Sequence, residues 1–359
     1  MTLIACLHPS MCRTLLADVM LSSSTKTDGA LHLPSGAYVA PERLRAMSAQ
    51  PVAFCRKVIE LGPKLVILWS GSREIAQTFA NIAEAKIRNV EATETNIQSV
   101  LHDLEYDTRG MPSHARAGFS AIFAPSDSLD IFWHGSVAEG DTRVCGRYVS
   151  AGSGTASFEK MATAFEELDE GRMPPDKIGL QIANDFLAQE IHTGTPMDDA
   201  FGGAFEVIVR GPDGYQRLDD IVHAFTDVMV DGRRNIHVEP HPQVMRQWYE
   251  DDCLYVTTLV APEIAAQGLP GRNFRAPSLL GLDRDFNRPL ETFRDRPRYF
   301  CLHHLIRHDG KETPATLILK GEEIGEAITF EHLPDRFTMS FTAKYLGGIQ
   351  KFVNEVIRR

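Results

Sequence analysis

The chain has 359 residues, and its 37 Lys and Arg against 48 Asp and Glu give a formal net charge of −11. An acidic excess of this size repels phosphate backbones and anionic lipid, so it counts against nucleic-acid and membrane-surface functions. Hydrophobic residues make up 43 % and charged residues 24 % of the chain, which is ordinary for a globular protein and excludes a disordered or collagen-like one. The length predicts about two domains.

The six cysteines are scattered along the chain without a Cys-x-x-Cys pair. In a chain long enough to bury a sizeable core, this pattern indicates free thiols in a reducing compartment rather than a disulfide framework. The first residues lack the basic segment and long apolar run of a signal peptide, and no stretch approaches the ~18 apolar residues of a membrane-spanning helix. The sequence therefore predicts a soluble, cytoplasmic protein.

The first 235 residues alternate between strand and helix patterns, starting with a hairpin of two apolar runs at residues 3–7 and 14–17. Further strands are predicted at residues 58–61, 65–69, 119–124, 129–133, 144–150 and 205–210. Helices are predicted from Ser72 to about residue 104 with one break, and at residues 158–168 and 178–191. Residues 20–53, rich in Ser, Gly, Pro and Thr, are predicted to form a long loop with one helical turn near residues 42–47.

Beyond about residue 235 the composition changes, and Pro and Arg become frequent between residues 240 and 298. Strands are predicted at residues 254–260, 299–305, 316–319 and 324–330, and a terminal helix at residues 345–357. Asp309-Gly310 is a two-residue hairpin signal. The simplest division is a domain of residues 1–235 and a smaller α+β region of residues 236–359.

Two glycine and acidic patterns resemble ligand-binding motifs but fail in detail. Gly152-Ser153-Gly154 follows a predicted strand and precedes a helix, but Ser157 stands where a dinucleotide fingerprint has its third glycine. Residues 283–288 open like a calcium loop, but Arg288 occupies the position that needs glycine. The chain also lacks the G-x-S-x-G, H-E-x-x-H and phosphate-loop patterns. No cofactor is expected.

Cys301, His303, His304 and His308 lie close together and raise the question of a metal site. On a strand, Cys301 and His303 share one face while His304 points to the other, and no second cluster stands at a recognised spacing. We interpret them as ordinary strand side chains and predict no metal.

The N-terminus offers a different chemistry. Removal of Met1 would make Thr2 the first residue. An N-terminal threonine carries both a nucleophile and a base, because its hydroxyl attacks while its own α-amine accepts the proton. The unperturbed pKa of such an amine is near ~8, and a neighbouring ammonium that lowers it would bring it close to neutral pH.

Several motifs follow Thr2 in a fixed order. They are Ala17-Asp18, Lys57, Ser70-Gly71, Gly152-Ser153-Gly154, and Asp198 shortly before Gly202-Gly203. With these motifs, residues 2–235 resemble the proteasome β subunits and their bacterial relatives among the N-terminal-nucleophile hydrolases. Members of that family have an Asp sixteen residues after the Thr and a Lys fourteen residues before a Gly. Thr2 and Asp18, and Lys57 and Gly71, keep those spacings.

The resemblance implies an α+β fold, namely a four-layer αββα sandwich, to which this chain adds its C-terminal α+β region. It implies that Thr2 supplies the nucleophile and the base, and that Lys57 lowers the pKa of one of them. Asp18 would pair with Lys57 and keep it charged. The backbone N–H of Gly71 would bind the developing oxyanion.

The resemblance further implies that Ser153 and Asp198 orient the α-amine, but it is incomplete there. The family has a serine before Gly-Gly, where this chain has Phe201, and the interval between Asp18 and Lys57 is about two dozen residues longer than usual. The added length falls at residues 22–54. Taken singly, Ser153 could also be a helix N-cap and Asp198 a loop cap.

Three functions remain open from the sequence. The first is an N-terminal-threonine amidohydrolase of the proteasome-like class that acts on peptides. The second, suggested by Phe201, is a catalytically silent proteasome-like scaffold or binding subunit. The third is a hydrolase of a small amide. The resemblance implies a homo-oligomer, and it leaves open whether a regulatory ATPase is a partner.

Overall fold

The structure is a computed structural model and describes residues 2–8, 12–23, 31–128, 130–168, 177–231, 235–260, 272–280, 297–333 and 336–357. Its strands are β1 (Ile4–Leu7), β2 (Thr14–Asp18), β3 (Met20–Ser23), β4 (Leu31–His32), β5 (Tyr38–Val39), β6 (Gln50–Phe54), β7 (Val58–Glu60), β8 (Leu65–Ser70), β9 (Ser120–Pro125), β10 (Phe132–His134), β11 (Ala138–Thr142), β12 (Gly146–Ala151), β13 (Phe205–Gly211), β14 (Gly214–Arg217), β15 (Ile221–Val230), β16 (Ile236–Glu250), β17 (Cys253–Val260), β18 (Arg272–Pro277), β19 (Tyr299–His308), β20 (Lys311–Lys320), β21 (Ile328–Leu333) and β22 (Arg336–Phe341). Its helices are α1 (Pro41–Ala46), α2 (Arg73–Ile87), α3 (Glu94–Asp107), α4 (Ser113–Ala117), α5 (Thr155–Leu168), α6 (Ile178–His192), α7 (Thr195–Asp198), α8 (Glu322–Ala327) and α9 (Ala343–Ile357).

Within the described residues, three large sheets organise the fold. The first sheet has the strand order β11-β12-β1-β2-β13-β14, the second β10-β9-β8-β7, and the third β18-β17-β16-β15-β19-β20. Neighbouring strands are antiparallel except for β15 and β19, which run parallel in the third sheet. Helices and strands are mixed throughout, which confirms the predicted α+β class.

Side chains alternate between two cores along the strands of the first two sheets. In β1, Ile4 and Cys6 belong to the apolar cluster between the first and second sheets, whereas Ala5 and Leu7 face the cluster that contains α5 and α6. Successive strand residues point to opposite faces, so a strand with apolar residues on both faces is covered on both sides. The second sheet is covered on its outer face by α2 and α3.

Helix α6 joins the first sheet to the third. It contacts β2 and β13 on one side and β19 and β20 on the other, and most of its residues are buried. The buried residues of α6 include the polar side chains of Asn184, Asp185 and Glu190, and the two sheets provide the cover. Strand β15 (Ile221–Val230) pairs with β16 and β19 and belongs to the third sheet, whereas the division of the chain at residue 235 stays a prediction.

Most predicted elements are found, with local differences. At the turn between β19 and β20, Asp309 and Gly310 have φ of 50° and 74°, as the predicted two-residue hairpin requires. The predicted strand at 324–330 is wrong in its first half, because residues up to Ala327 form α8. The predicted loop at 20–53 contains α1 and two short strand pairs. Leu129, in a predicted strand, and residues 283–288 lie outside the described residues.

The described helices include none that is both long enough and apolar enough to cross a membrane.

Candidate active site

The β1–β2 hairpin places Asp18 beside the start of the chain. Ile4 pairs with Ala17, and one residue further the Leu3 N–H donates to Asp18 Oδ1 at 2.9 Å. The Asp18 N–H donates in turn to the Leu3 carbonyl oxygen at 3.0 Å. Thr2 is 1 % exposed and Asp18 is fully buried. The turn of the hairpin thus brings a carboxylate next to Thr2 in a water-excluded place.

Lys57 reaches the same place from the residue before β7. Its Nζ donates to Thr2 Oγ1, to Asp18 Oδ1 at 2.9 Å and to the Met20 carbonyl oxygen at 2.5 Å. An ammonium group has three N–H bonds to donate, and these three acceptors match them. Burial lowers the pKa of Lys57, and the Asp18 carboxylate opposes that effect.

Asp18 is held by several donors besides Lys57. Its Oδ2 accepts hydrogen bonds from the N–H of Gly202 at 3.0 Å and from the N–H of Met20 at 3.3 Å. A buried carboxylate needs such donors to replace the water it has lost. They fix the orientation of the carboxylate toward Lys57.

Ser153 and its two glycines approach Thr2 from the start of α5. The Thr2 N–H donates to Ser153 Oγ at 3.1 Å, and the Gly154 N–H donates to the Thr2 carbonyl oxygen at 3.1 Å. Gly152 has φ +100°, and a Cβ at this position would overlap the Thr2 carbonyl oxygen. Glycine is therefore required at position 152 for the backbone to approach Thr2 this closely.

Gly71 directly follows β8, two residues after Trp69. The Trp69 N–H donates to the Lys57 carbonyl oxygen at 3.0 Å, which aligns the end of β8 with the start of β7. Gly71 has φ +105°, and a Cβ there would overlap the Gly118 carbonyl oxygen. Backbone packing is thus enough to explain why residue 71 is a glycine. The role of its N–H as an oxyanion donor stays a prediction.

The structure does not bring Asp198 into the buried cluster. Its side chain is 61 % exposed and pairs with Arg43 at 3.0 Å, and Arg43 also donates to the Gly194 carbonyl oxygen at 2.8 Å. The last residue of α7 is Asp198, and its carboxylate lies at the surface, whereas Asp199 is partly buried. Asp199 accepts a hydrogen bond from Ser157 Oγ at 2.5 Å, one turn along α5 from Ser153.

Phe201 occupies the position where the resembled family has a serine hydroxyl. Its ring is fully buried and packs edge-to-face on Phe186 with the ring centroids 5.1 Å apart. A Cβ at Gly154 would press on Phe201 and on Leu3. The aromatic ring therefore forms an apolar wall beside Gly154, the residue whose N–H binds the Thr2 carbonyl oxygen, and it supplies no hydrogen bond from its side chain.

A buried ion pair beside Lys57 was missed by the sequence analysis. Arg56 Nε lies 2.6 Å from Glu206 Oε1, and the two side chains are 1 % and 0 % exposed. Glu206 Oε2 accepts the Lys57 N–H at 3.1 Å, and Tyr249 of the third sheet donates its hydroxyl to Glu206 at 3.3 Å. A charged residue inside the apolar run of β13 was the available signal.

His303 and His304 of β19 are hydrogen-bonded to other side chains of this chain. His303 Nδ1 lies 3.1 Å from Thr316 Oγ1, and His304 Nε2 lies 2.8 Å from the Tyr345 hydroxyl. Among the described residues, no group of three or more His, Cys, Asp or Glu is arranged to hold a metal ion.

Comparison with known proteins gives a partial structural match. No protein-family model matches the chain, and no curated protein does. Among solved structures, the chain is similar to eukaryotic HslV from Trypanosoma brucei, with 18 % sequence identity and a TM-score of 0.36, over 58 % of this chain and 98 % of that one. At this level of similarity the match assigns neither a fold nor an activity to this chain.

Proposed function

We propose that this protein is an N-terminal-threonine amidohydrolase of the proteasome-like class, which cleaves peptide bonds through an acyl-enzyme formed on Thr2. The single observation that carries the proposal is the buried contact of Lys57 Nζ with both Thr2 Oγ1 and Asp18 Oδ1. Burial of a lysine is costly unless its charge is used or paired. Here the Lys57 charge is paired with Asp18 and also faces the Thr2 hydroxyl group.

In the proposed reaction, cleavage of the peptide bond before Thr2 frees its α-amine. The Thr2 oxygen attacks the substrate carbonyl carbon while its proton passes to that amine. The C–N bond of the substrate then breaks, the ammonium returns the proton to the leaving amine, and an ester remains on Thr2. Water then attacks the ester carbonyl while the amine takes its proton. The bond from the acyl carbon to Thr2 Oγ1 breaks, the ammonium returns the proton to that oxygen, and the acid product leaves.

The ammonium of Lys57 supplies the electrostatics for this step. A positive charge next to the Thr2 hydroxyl favours its ionised form, and in a water-excluded site this effect is larger than in solution. Asp18 keeps Lys57 charged at a distance of 2.9 Å. Ser153 Oγ, 3.1 Å from the Thr2 nitrogen, would accept one N–H of the amine and turn its lone pair toward the hydroxyl.

The packing of the chain agrees with the fold that this mechanism needs. Helices α2 and α3 cover the second sheet, the second sheet packs on the first, and α5 and α6 cover the other face of the first. We propose that these elements form the four-layer αββα sandwich of the N-terminal-nucleophile class. The third sheet then lies outside α6 as an addition to that arrangement.

The proposal is tested on the full-length protein with a peptide epoxyketone, a probe whose ring closure consumes both the hydroxyl and the free α-amine of an N-terminal threonine. Intact-mass and N-terminal sequencing should show a chain that begins at Thr2 and gains one probe molecule. Thr2→Ala should abolish the adduct. Thr163→Ala removes an exposed threonine of α5 and should leave it unchanged.

Labelling that survives Thr2→Ala, or a protein whose Thr2 nitrogen stays in a peptide bond in every preparation, would refute the proposal.

A second candidate, a silent scaffold subunit, is favoured by the apolar wall at Phe201 and by the position of Asp198. A correctly folded chain with no adduct would support it. To distinguish a peptidase from a small-amide hydrolase, cleavage of a peptide library is compared with hydrolysis of a set of small amides.

Assembly belongs to the same proposal. We propose a homo-oligomer, as the resemblance implies, with a regulatory ATPase left open as a partner. Native mass spectrometry of the full chain measures the number of subunits.

A further inference from the structure

Glu190, on α6, is a buried carboxyl group that the mechanism above does not use. It is 2 % exposed. Its Oε2 accepts the Gly203 N–H at 2.7 Å, and its Oε1 is hydrogen-bonded to Ser35 Oγ, between β4 and β5. The carboxyl group therefore joins two backbone turns that are far apart in the sequence.

Asp18 and Glu190 are bound by consecutive amides of one turn. The Gly202 N–H donates to Asp18 Oδ2 at 3.0 Å, and the next N–H, that of Gly203, donates to Glu190. Both glycines have left-handed φ, +125° and +82°, and a Cβ at Gly202 would overlap Glu190 Oε2. The conformation of this turn is thus adjusted to hold two carboxyl groups one peptide unit apart.

The charges around this turn favour a neutral Glu190. Lys57 compensates Asp18, so an ionised Glu190 would add a second negative charge, for which the described residues show no basic side chain in an ion pair. Burial, helped by the Asp18 charge, raises the pKa of Glu190 to about 7. Among the described residues, charged or titratable groups at the C-terminal end of α6 include Arg43, His192, Asp198 and His303.

We propose that Glu190 is a positioning residue of the Thr2 site, whose neutral carboxyl group holds the Gly202-Gly203 turn against Asp18 and ties it to the turn at Ser35. In the structure the Ser35 hydroxyl donates to Glu190 Oε1. In the neutral form this hydrogen bond reverses, so that Oε2 still accepts from the Gly203 N–H while the protonated Oε1 donates to Ser35 Oγ. The Asp18–Lys57 pair then keeps its orientation, and no extra negative charge opposes the effect of Lys57 on Thr2. The inference rests on the proposed function.

The test compares wild type, Glu190→Gln and Glu190→Leu by the rate constant of epoxyketone labelling between pH 6 and 8.5. Glu190→Gln keeps the shape and stays neutral. It should label within about twofold of wild type at pH 6, and the ratio of its rate to the wild-type rate should rise about threefold or more by pH 8.5. Glu190→Leu cannot hold the turn and should label about tenfold or more slowly at every pH. Glu312→Gln, an exposed control, should follow wild type.

A readout independent of activity accompanies the labelling. Amide hydrogen exchange of the peptide containing Gly202 and Gly203 should be faster in Glu190→Leu than in wild type and close to wild type in Glu190→Gln. Unchanged exchange in Glu190→Leu, or a pH-independent ratio for Glu190→Gln, would overturn the inference. If wild type itself does not label, the proposed function fails, while the exchange result still decides whether Glu190 holds the turn.

Discussion

Lys57 Nζ lies 2.9 Å from Asp18 Oδ1, and neither side chain has any exposed surface. Removing one member of a buried pair leaves the other charge uncompensated, which typically costs about 3–5 kcal/mol. Asp18→Asn keeps the shape of the side chain and should lower the free energy of unfolding by about 3 kcal/mol or more. It should also slow epoxyketone labelling, because a neutral Lys57 no longer stabilises the ionised Thr2 hydroxyl. Urea unfolding and the labelling rate are the measurements.

The control for Asp18→Asn is Asp103→Asn, which breaks a surface pair with Lys86 whose carboxylate is 41 % exposed. Surface pairs contribute about 0–1 kcal/mol, so this variant should unfold like wild type. A stable and fully reactive Asp18→Asn would show that Lys57 does not depend on Asp18.

The site also depends on the absence of a side chain at Gly152. Gly152→Ala would force a side chain into a left-handed conformation and against the Thr2 carbonyl oxygen. We expect Thr2 to be displaced, with a loss of about 1–3 kcal/mol of stability and slower labelling. Gly110→Ala is the matched control, since a Cβ there meets nothing within 4 Å. Equal behaviour of the two variants would mean that Gly152 does not support Thr2.

Introducing a serine at position 201 should not increase epoxyketone labelling. Phe201→Ser removes a fully buried ring that packs on Phe186, and such truncations cost about 3–5 kcal/mol. We expect a lower melting temperature and no gain in labelling. Phe352→Ser, at a ring that is 42 % exposed, should have little effect on either. A stable Phe201→Ser that labels faster than wild type would contradict this expectation.

Acid should destabilise the fold through buried histidines. Burial lowers the pKa of His223 to about 3, whereas an unfolded chain titrates near ~6.5. The neutral form therefore contributes stability that is fully present above ~6.5 and is lost as pH falls toward 3. Burial also lowers the pKa of His304 to about 3, so this histidine likewise makes the fold less stable as the pH falls.

His223→Gln should weaken that pH dependence. By pH 5, wild type should lose about 2 kcal/mol of stability through His223 alone, and the glutamine variant should lose correspondingly less. Chemical denaturation at pH 7.5 and pH 5 measures the difference. His102→Gln, at a histidine that is 78 % exposed, serves as the comparison, and an unchanged slope in His223→Gln would exclude this residue as the cause.

The local part of the site could be predicted from the sequence. Apolar alternation on both sides of a short turn indicates the hairpin of β1 and β2, and a hairpin places its two ends together, so Thr2 and Asp18 had to be neighbours. Lys57 and Ser153 entered only through the resemblance of their motifs, because no local pattern says which distant strand or helix start lies beside the hairpin.

Contacts between distant residues could not be predicted in the same way. Arg56 and Glu206 are separated by 150 positions, and nothing in either local pattern indicates that the two would be buried together. Asp198 and Asp199 are adjacent acids, and only the tertiary structure decides that the first pairs with Arg43 and the second accepts from Ser157. The parallel pairing of β15 with β19 could not be predicted either, because Ile221 and its partner Tyr299 lie far apart in the chain.

The amino-acid sequence by itself determined the α+β class, the opening hairpin, most strand and helix positions, and the two-residue turn at Asp309-Gly310. Those features depend on side-chain periodicity and on backbone preferences that act over a few residues. Tertiary structure alone decided that Lys57 is buried against Thr2, that Phe201 forms an apolar wall, and that Asp18 and Glu190 are bound by consecutive amides of one turn. The physical reason is that burial and charge compensation depend on which surfaces pack together, and that packing is settled by the whole chain at once.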